Sequence, residues 1–147
     1  MLKKLLATDD DRATLLIRVA LGVVIFAHGA QKVFGWWGGY GLAGTMGFFQ
    51  SIGIPALFGA LAIAADFLGA LGLITGLLSR IAAFGILCNM LVAMALVHWP
   101  NGFFMNWSGQ QKGEGFEFHI LAAAMALYVI IKGGGAASVD DNLSPSL

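Results

Sequence analysis

Residues 54–78 read IPALFGALAIAADFLGALGLITGLL, twenty-five residues with a single charge at Asp66. A helix needs about 20 mostly apolar residues to cross a hydrocarbon core ~30 Å thick, so this stretch is long enough to span a membrane. It is apolar all round, whereas a helix packed in a soluble bundle would keep a polar stripe for water. The fold class read from it is all-α and integral to a membrane.

Three further stretches follow the same logic. Ala13–Phe34 is broken by Arg18 and, near its end, by His28, Gln31 and Lys32. Ile81–Val97 carries Asn89 as its one strongly polar residue. Phe116–Ile131 is short and opens with Glu117 and His119, but Lys132 can snorkel and lipid can thin locally. Together they predict a four-helix membrane bundle forming one domain over residues 1–134. The glycines at 133–135 and Ser144-Pro145-Ser146 point to a flexible tail over 135–147. Of the 147 residues 59% are hydrophobic and 11% charged, against about a quarter charged in soluble domains.

Acidic and basic residues balance, which gives no footprint for nucleic acid. Cys88 is the single cysteine, so no disulfide forms within the chain. The start, Met1 to Lys4, resembles the head of a signal peptide, but Asp9, Asp10 and Asp11 interrupt it. No small-residue cleavage site follows the next span, so the N-terminus is expected to be retained.

Basic residues set the orientation. Lys3, Lys4, Arg12, Arg80 and Lys132 fall on one side, and only Lys32 and Lys112 on the other. Both termini are therefore expected in the cytoplasm, with the connections 35–53 and 98–115 facing outward. Trp36, Trp37, Tyr40, Trp99 and Trp107 lie at that outer boundary, where amphipathic rings are favoured. On the second span Ala62, Ala65, Gly69, Gly72 and Gly76 form a strip of small residues. Such strips let helices approach closely. Packing within the bundle is favoured here over a homo-oligomer seam.

Ionisable groups inside a membrane need a partner or a task. Arg18 and Asp66 differ in depth by roughly 10 Å at 1.5 Å per residue, a gap an extended arginine largely covers. They are expected to form a structural ion pair. Nearer the outer surface, His28 and Lys32 share a face with Arg18, within an arc of about 80°. His98 and Asn101 end the third span at that level, and Glu117 and His119 begin the fourth. Gathering every histidine, a lysine and a carboxylate at one side points to a functional site. Imidazoles of His28, His98 and His119, with Glu117, would suit a metal or haem. No compact His-x-x-x-His motif favours that reading, so no metal is expected.

The strings Arg18-Val19-Ala20-Leu21-Gly22, His28-Gly29-x-Gln31-Lys32, Phe34-Gly35 and Gly44-Thr45 resemble the DoxX family. So do Gly53-x-Pro55, the acidic Asp66 before a glycine-rich stretch, Arg80, Asn101-Gly102-Phe103-Phe104 and Gly115-Phe116-Glu117. One departure is Asp66, where the family usually carries glutamate. The resemblance spans about residues 12–131 and implies a four-helix protein of the bacterial inner membrane. It also implies a place in a redox assembly, because the family is named from a subunit of a thiosulfate-oxidising, quinone-reducing enzyme.

On that basis the chain is expected to be a membrane subunit of a redox complex that handles a quinone near the periplasmic face. His28 and Glu117 are its candidate acid–base pair, and Gln31, Lys32, His98, Asn101 and His119 its candidate substrate contacts. The cofactor expected is a quinone, with no metal or haem. The partners expected are membrane lipid, a periplasmic or membrane redox subunit, and a second copy of the chain. The alternatives are a non-catalytic anchor or assembly factor for a periplasmic partner, and a small-molecule transporter.

Overall fold

The computed structural model describes residues 2–143, and no strand is present among them. A short α1 (Leu2–Leu6) precedes α2 (Arg12–Phe34), and a 3₁₀ turn (Trp36–Gly38) leads to α3 (Gly41–Ser51). Next come α4 (Ala56–Ala64), a π-helical turn (Ala65–Gly69) and α5 (Ala70–Thr75), which run on as one helix. The following helix, α6 (Ser79–Ala93), continues through a π turn (Met94–His98) and a 3₁₀ turn (Trp99–Asn101). Last are α7 (Glu117–Lys132) and α8 (Val139–Leu143).

Among the described residues three helices are long and apolar enough to cross a membrane: Arg12–Phe34, Ala56–Thr75 and Ser79–Asn101. Helix α7 has 16 residues, about 24 Å at 1.5 Å per residue, and falls short of a ~30 Å hydrocarbon core. Polarity is arranged inside out. Leu57, Phe58, Leu61, Leu68, Phe84 and Leu121 are exposed, whereas Thr14, Arg18 and Asp66 are fully buried. Buried charge under a leucine surface is the informative pattern.

Helix α2 lies against α5 and the first π turn, α6 packs on that turn and on α7, and α7 closes back onto α2. Leu21, Ile25, Leu73, Ile86, Ala126 and Val129 meet in the core between them. The small-residue strip faces α6: a Cβ on Gly72 would lie 3.2 Å from that of Ala82, and one on Gly85 3.3 Å from that of Ala65.

Arg18 does not pair with Asp66. Its Nε donates to the Gly134 carbonyl at 2.7 Å, and its two terminal nitrogens donate to the carbonyls of Leu73, Ile74 (2.9 Å) and Ala136 (3.3 Å). The last carbonyls of a helix lack partners and carry the negative end of its dipole. Those of α5 draw the guanidinium toward the end of the bundle that holds the termini. Leu73 lies two turns beyond Asp66, roughly 10 Å along the helix, so one arginine cannot serve both. Gly76 makes room for the arrangement. Its φ is +72°, and a Cβ there would sit 2.6 Å from Ser138 Cα and 3.0 Å from Arg18 Cζ.

The segment 135–143, expected to be a flexible tail, is packed instead. The Ala136 N–H donates to the Asp11 carbonyl (3.1 Å), and Ser138 and Asp140 are buried. Asp140 caps α6 from a distance in sequence, accepting from the N–H groups of Leu78 (2.7 Å) and Ser79 (2.8 Å). These are amides that a helix start leaves unpaired. Residues 144–147 of the expected tail lie outside the described residues. Asp11 caps α2 through Ala13 N–H (2.9 Å) and accepts from the hydroxyls of Thr14 (2.7 Å) and Tyr128 (3.2 Å). These bonds, that from Thr14 foremost, hold its carboxyl below the usual range.

Replacing Arg18 by leucine should orphan several buried carbonyls, at about 1–3 kcal/mol for each that stays dry. Thermal stability in detergent should fall clearly, and amide hydrogen exchange over 134–140 should rise. Unchanged exchange there would show that Arg18 does not hold the segment.

Candidate functional site

At the far end of α2 the backbone comes into direct contact with the first π turn. A Cβ on Gly29 would lie 2.5 Å from the Asp66 carbonyl oxygen and 2.8 Å from Phe67 Cα, so only glycine fits this crossing. One turn on, Lys32 reaches Asp66, and its ammonium pairs with carboxylate Oδ2. The other oxygen accepts from the Asn89 amide of α6 at 2.7 Å. Asp66 has no exposed surface. A lone carboxylate there would pay a desolvation cost large enough to discharge it. An ammonium and an amide together satisfy both of its oxygens. Lys32 takes the place expected of Arg18 because it enters from the same helix face without crossing the core.

A cavity of about 300 Å³ opens beside this pair, lined by His28, Gln31, Lys32, Tyr40, Thr45 and Phe49. Helix α3 supplies its far wall, and the Thr45 hydroxyl bonds the Lys32 carbonyl at 3.4 Å. The His28 ring sits 5.8 Å from that of Phe118. Two further cavities are apolar. One, of about 390 Å³, is a groove between α4 and α6 lined by Phe49, Leu61, Cys88, Asn89 and Val92. The other, of about 410 Å³, is lined by Val33, Leu42, Met46, Phe67 and Leu68.

The remaining candidates do not line the polar cavity. Glu117 accepts from the Met105 N–H at 2.8 Å and from the Trp107 indole at 3.2 Å. It fastens the 102–116 connection and does not line the cavity, so the structure does not join it to His28 as an acid–base pair. His98 Nδ1 and the Asn101 amide both meet the Glu114 carbonyl, at 2.9 and 3.1 Å. The His98 and His119 rings lie 4.0 Å apart, and His119 is buried with no partner for Nδ1. Among the described residues no group of three His, Cys, Asp or Glu is arranged to hold a metal ion. The structure thus unites His28, Gln31 and Lys32, and adds Asp66, Asn89, Thr45 and Phe49. The sequence did signal Asn89, as the lone strongly polar residue of its span.

Comparison with known proteins identifies the family. The DoxX family model matches residues 13–99, a stretch that holds His28, Lys32, Asp66 and Asn89 but stops before Asn101, Glu117 and His119. A protein of Bacillus subtilis (strain 168) named "Putative oxidoreductase CatD" is 33% identical over 84 residues. That match covers 57% of this chain and 57% of the relative, so the chain spans little over half of the relative's length. No solved structure matches significantly.

Breaking the pair from either side, by Lys32→Met or Asp66→Leu, should cost roughly 3–5 kcal/mol, with much of it recovered in the double variant. The Arg18→Leu and Asp66→Leu losses should instead add, to within about 0.5 kcal/mol. Thermal unfolding of the two cycles in one detergent checks both statements. Additive losses for Lys32 and Asp66 would dissolve the pair.

Proposed function

We propose, from the premise that this chain belongs to the DoxX family, that it is a membrane subunit of a redox complex and binds a quinone headgroup in the cavity beside His28. Its setting in this reading is the bacterial inner membrane, as a four-helix bundle with both termini cytoplasmic. Arg12, Arg80 and Lys132 then obey the positive-inside rule, and α7 crosses as a short fourth span with Lys132 snorkelling. The His28 cavity accordingly faces the periplasmic side.

The observation that carries the reading is the make-up of that cavity. It places an imidazole, an amide and a lysine along one wall of a half-open pocket whose other walls are residues 38–40 and helix α3. Ligand sites of this kind are mostly apolar with a few convergent polar groups. Quinone reduction adds two electrons and two protons at the carbonyl oxygens. His28 is suited to donate a hydrogen bond to one of them through a ring N–H, and a general acid at this position would supply one of the protons. Lys32, held by Asp66, fixes positive charge beside the oxygen that gains electron density. The single cysteine precludes disulfide chemistry within the chain, so in this reading the electrons come from a partner redox subunit. The relative's name, an oxidoreductase, suits such a role.

A second reading, a docking platform without chemistry of its own, draws on the 102–116 connection. Glu117 pins it in place, and it displays Phe103, Phe104 and Trp107 to the outside.

Two experiments address these statements. Single cysteines at Tyr40 and at Asn106, in a Cys88→Ser background, should react with an impermeant thiol reagent in intact cells. Reaction only after lysis would invert the orientation. Purified protein should bind a quinone, and His28→Phe should weaken binding by up to about tenfold, the worth of one neutral hydrogen bond. Thermal unfolding serves as the control for intact structure. Equal binding by both proteins would remove His28 from the site, and no binding by the wild type, alone or with its native partners, would leave the docking platform.

A further inference from the structure

The polar cavity is too small to take a whole lipid-soluble quinone, whose isoprenoid chain must leave it. Two apolar cavities offer themselves as the exit. They are similar in size, at about 390 and 410 Å³, so volume does not choose between them. Their walls do. Phe49 lines both the polar cavity and the groove between α4 and α6. No residue lines both the polar cavity and the space around Val33, Met46 and Phe67.

The hydrogen-bond chain gives the same answer. Lys32 faces the polar cavity and Asn89 faces the α4–α6 groove, and both are bonded to the one buried carboxylate of Asp66. The two spaces therefore have Phe49 as a common wall, with Asp66 behind it. Phe49 stands where Gly59 leaves it room, since a Cβ on Gly59 would be 3.1 Å from its ring. Beyond that ring the groove is apolar except for Asn89, and it is rimmed by the lipid-facing Phe58, Leu61 and Val92.

We infer that the groove between α4 and α6 receives the hydrocarbon tail of a long-chain isoprenoid quinone whose head lies beside His28, with Phe49 as the turning post between the two. The inference rests on the quinone reading and narrows it to a class: membrane-soluble quinones with a tail, entering sideways from the bilayer. A polar head and an apolar chain match a polar pocket joined to an apolar groove, because each part keeps its preferred surroundings.

The test is photo-crosslinking of the full-length protein in quinone-free phospholipid nanodiscs. The probe is a long-chain quinone carrying a diazirine midway along its tail, and crosslinked residues are identified by mass spectrometry. Adducts should fall on the groove, at Leu61, Cys88, Val92 or Leu96, and an excess of tail-less quinone should abolish them by taking the head site. Adducts at Val33, Leu42, Met46 or Leu68 that tail-less quinone still abolishes would overturn the tail path and leave the quinone reading intact. Groove adducts that tail-less quinone leaves unchanged would mean that bulk chains fill the groove, which overturns the inference. Adducts scattered over the lipid-facing surface, with no effect of tail-less quinone, would remove the head site and the inference together.

Discussion

A carboxylate with no exposed surface, set in a chain whose outside is leucine and phenylalanine, must find positive charge or give up its own. Asp66 finds it in Lys32, and most of the far half of the structure follows from that meeting. The two helices approach closely enough only because Gly29 has no side chain. The helix bearing Asp66 widens into a π turn at that point, an irregularity that often marks functional sites. Asn89 then ties α6 to the same carboxylate. Three helices are thereby locked in register around one group. The pocket beside it has Lys32 in its wall.

The opposite end answers the same problem differently. Arg18 is equally buried, yet its partners are neutral carbonyls at the end of α5 and in the 134–137 segment. A guanidinium has five donors in a rigid fork, and carbonyls from two parts of the chain satisfy it without a salt bridge. The segment it gathers brings in Asp140, which caps α6. One buried arginine thus couples the chain's C-terminal stretch to the start of a spanning helix. Of the two cations on α2, the buried Arg18 holds the fold and the half-buried Lys32 shapes a pocket.

Three of the four expected spans were legible because long apolar runs have few alternative fates, whereas α7, at 16 residues, falls short of a span. The Gly29 motif was visible as a string. The pairing of charges was not. Arg18 and Lys32 share a face of α2, and sequence spacing says nothing about which way a long side chain will lean. Glu117 was misplaced for a related reason. Its role depends on how 102–116 folds back, so that Phe116 and Glu117 donate to the carbonyls of Gly102 and Phe103. Glycines at 133 and 135 suggested looseness, but with φ values of +92° and +72° they let the chain double back and pack. Asn89 stood out in its span, but its worth appears only once the carboxylate it reaches is known.

A half-buried ion pair thus forms the polar wall of one pocket, and one aromatic ring separates that pocket from an apolar groove. All of this stands on the contact between Lys32 and Asp66. Its most direct test is a solid-state NMR distance between the Lys32 ammonium nitrogen and the Asp66 carboxylate carbon in lipid bilayers. The account requires a separation within about 4 Å, that of a formed ion pair. A separation well beyond that would contradict it.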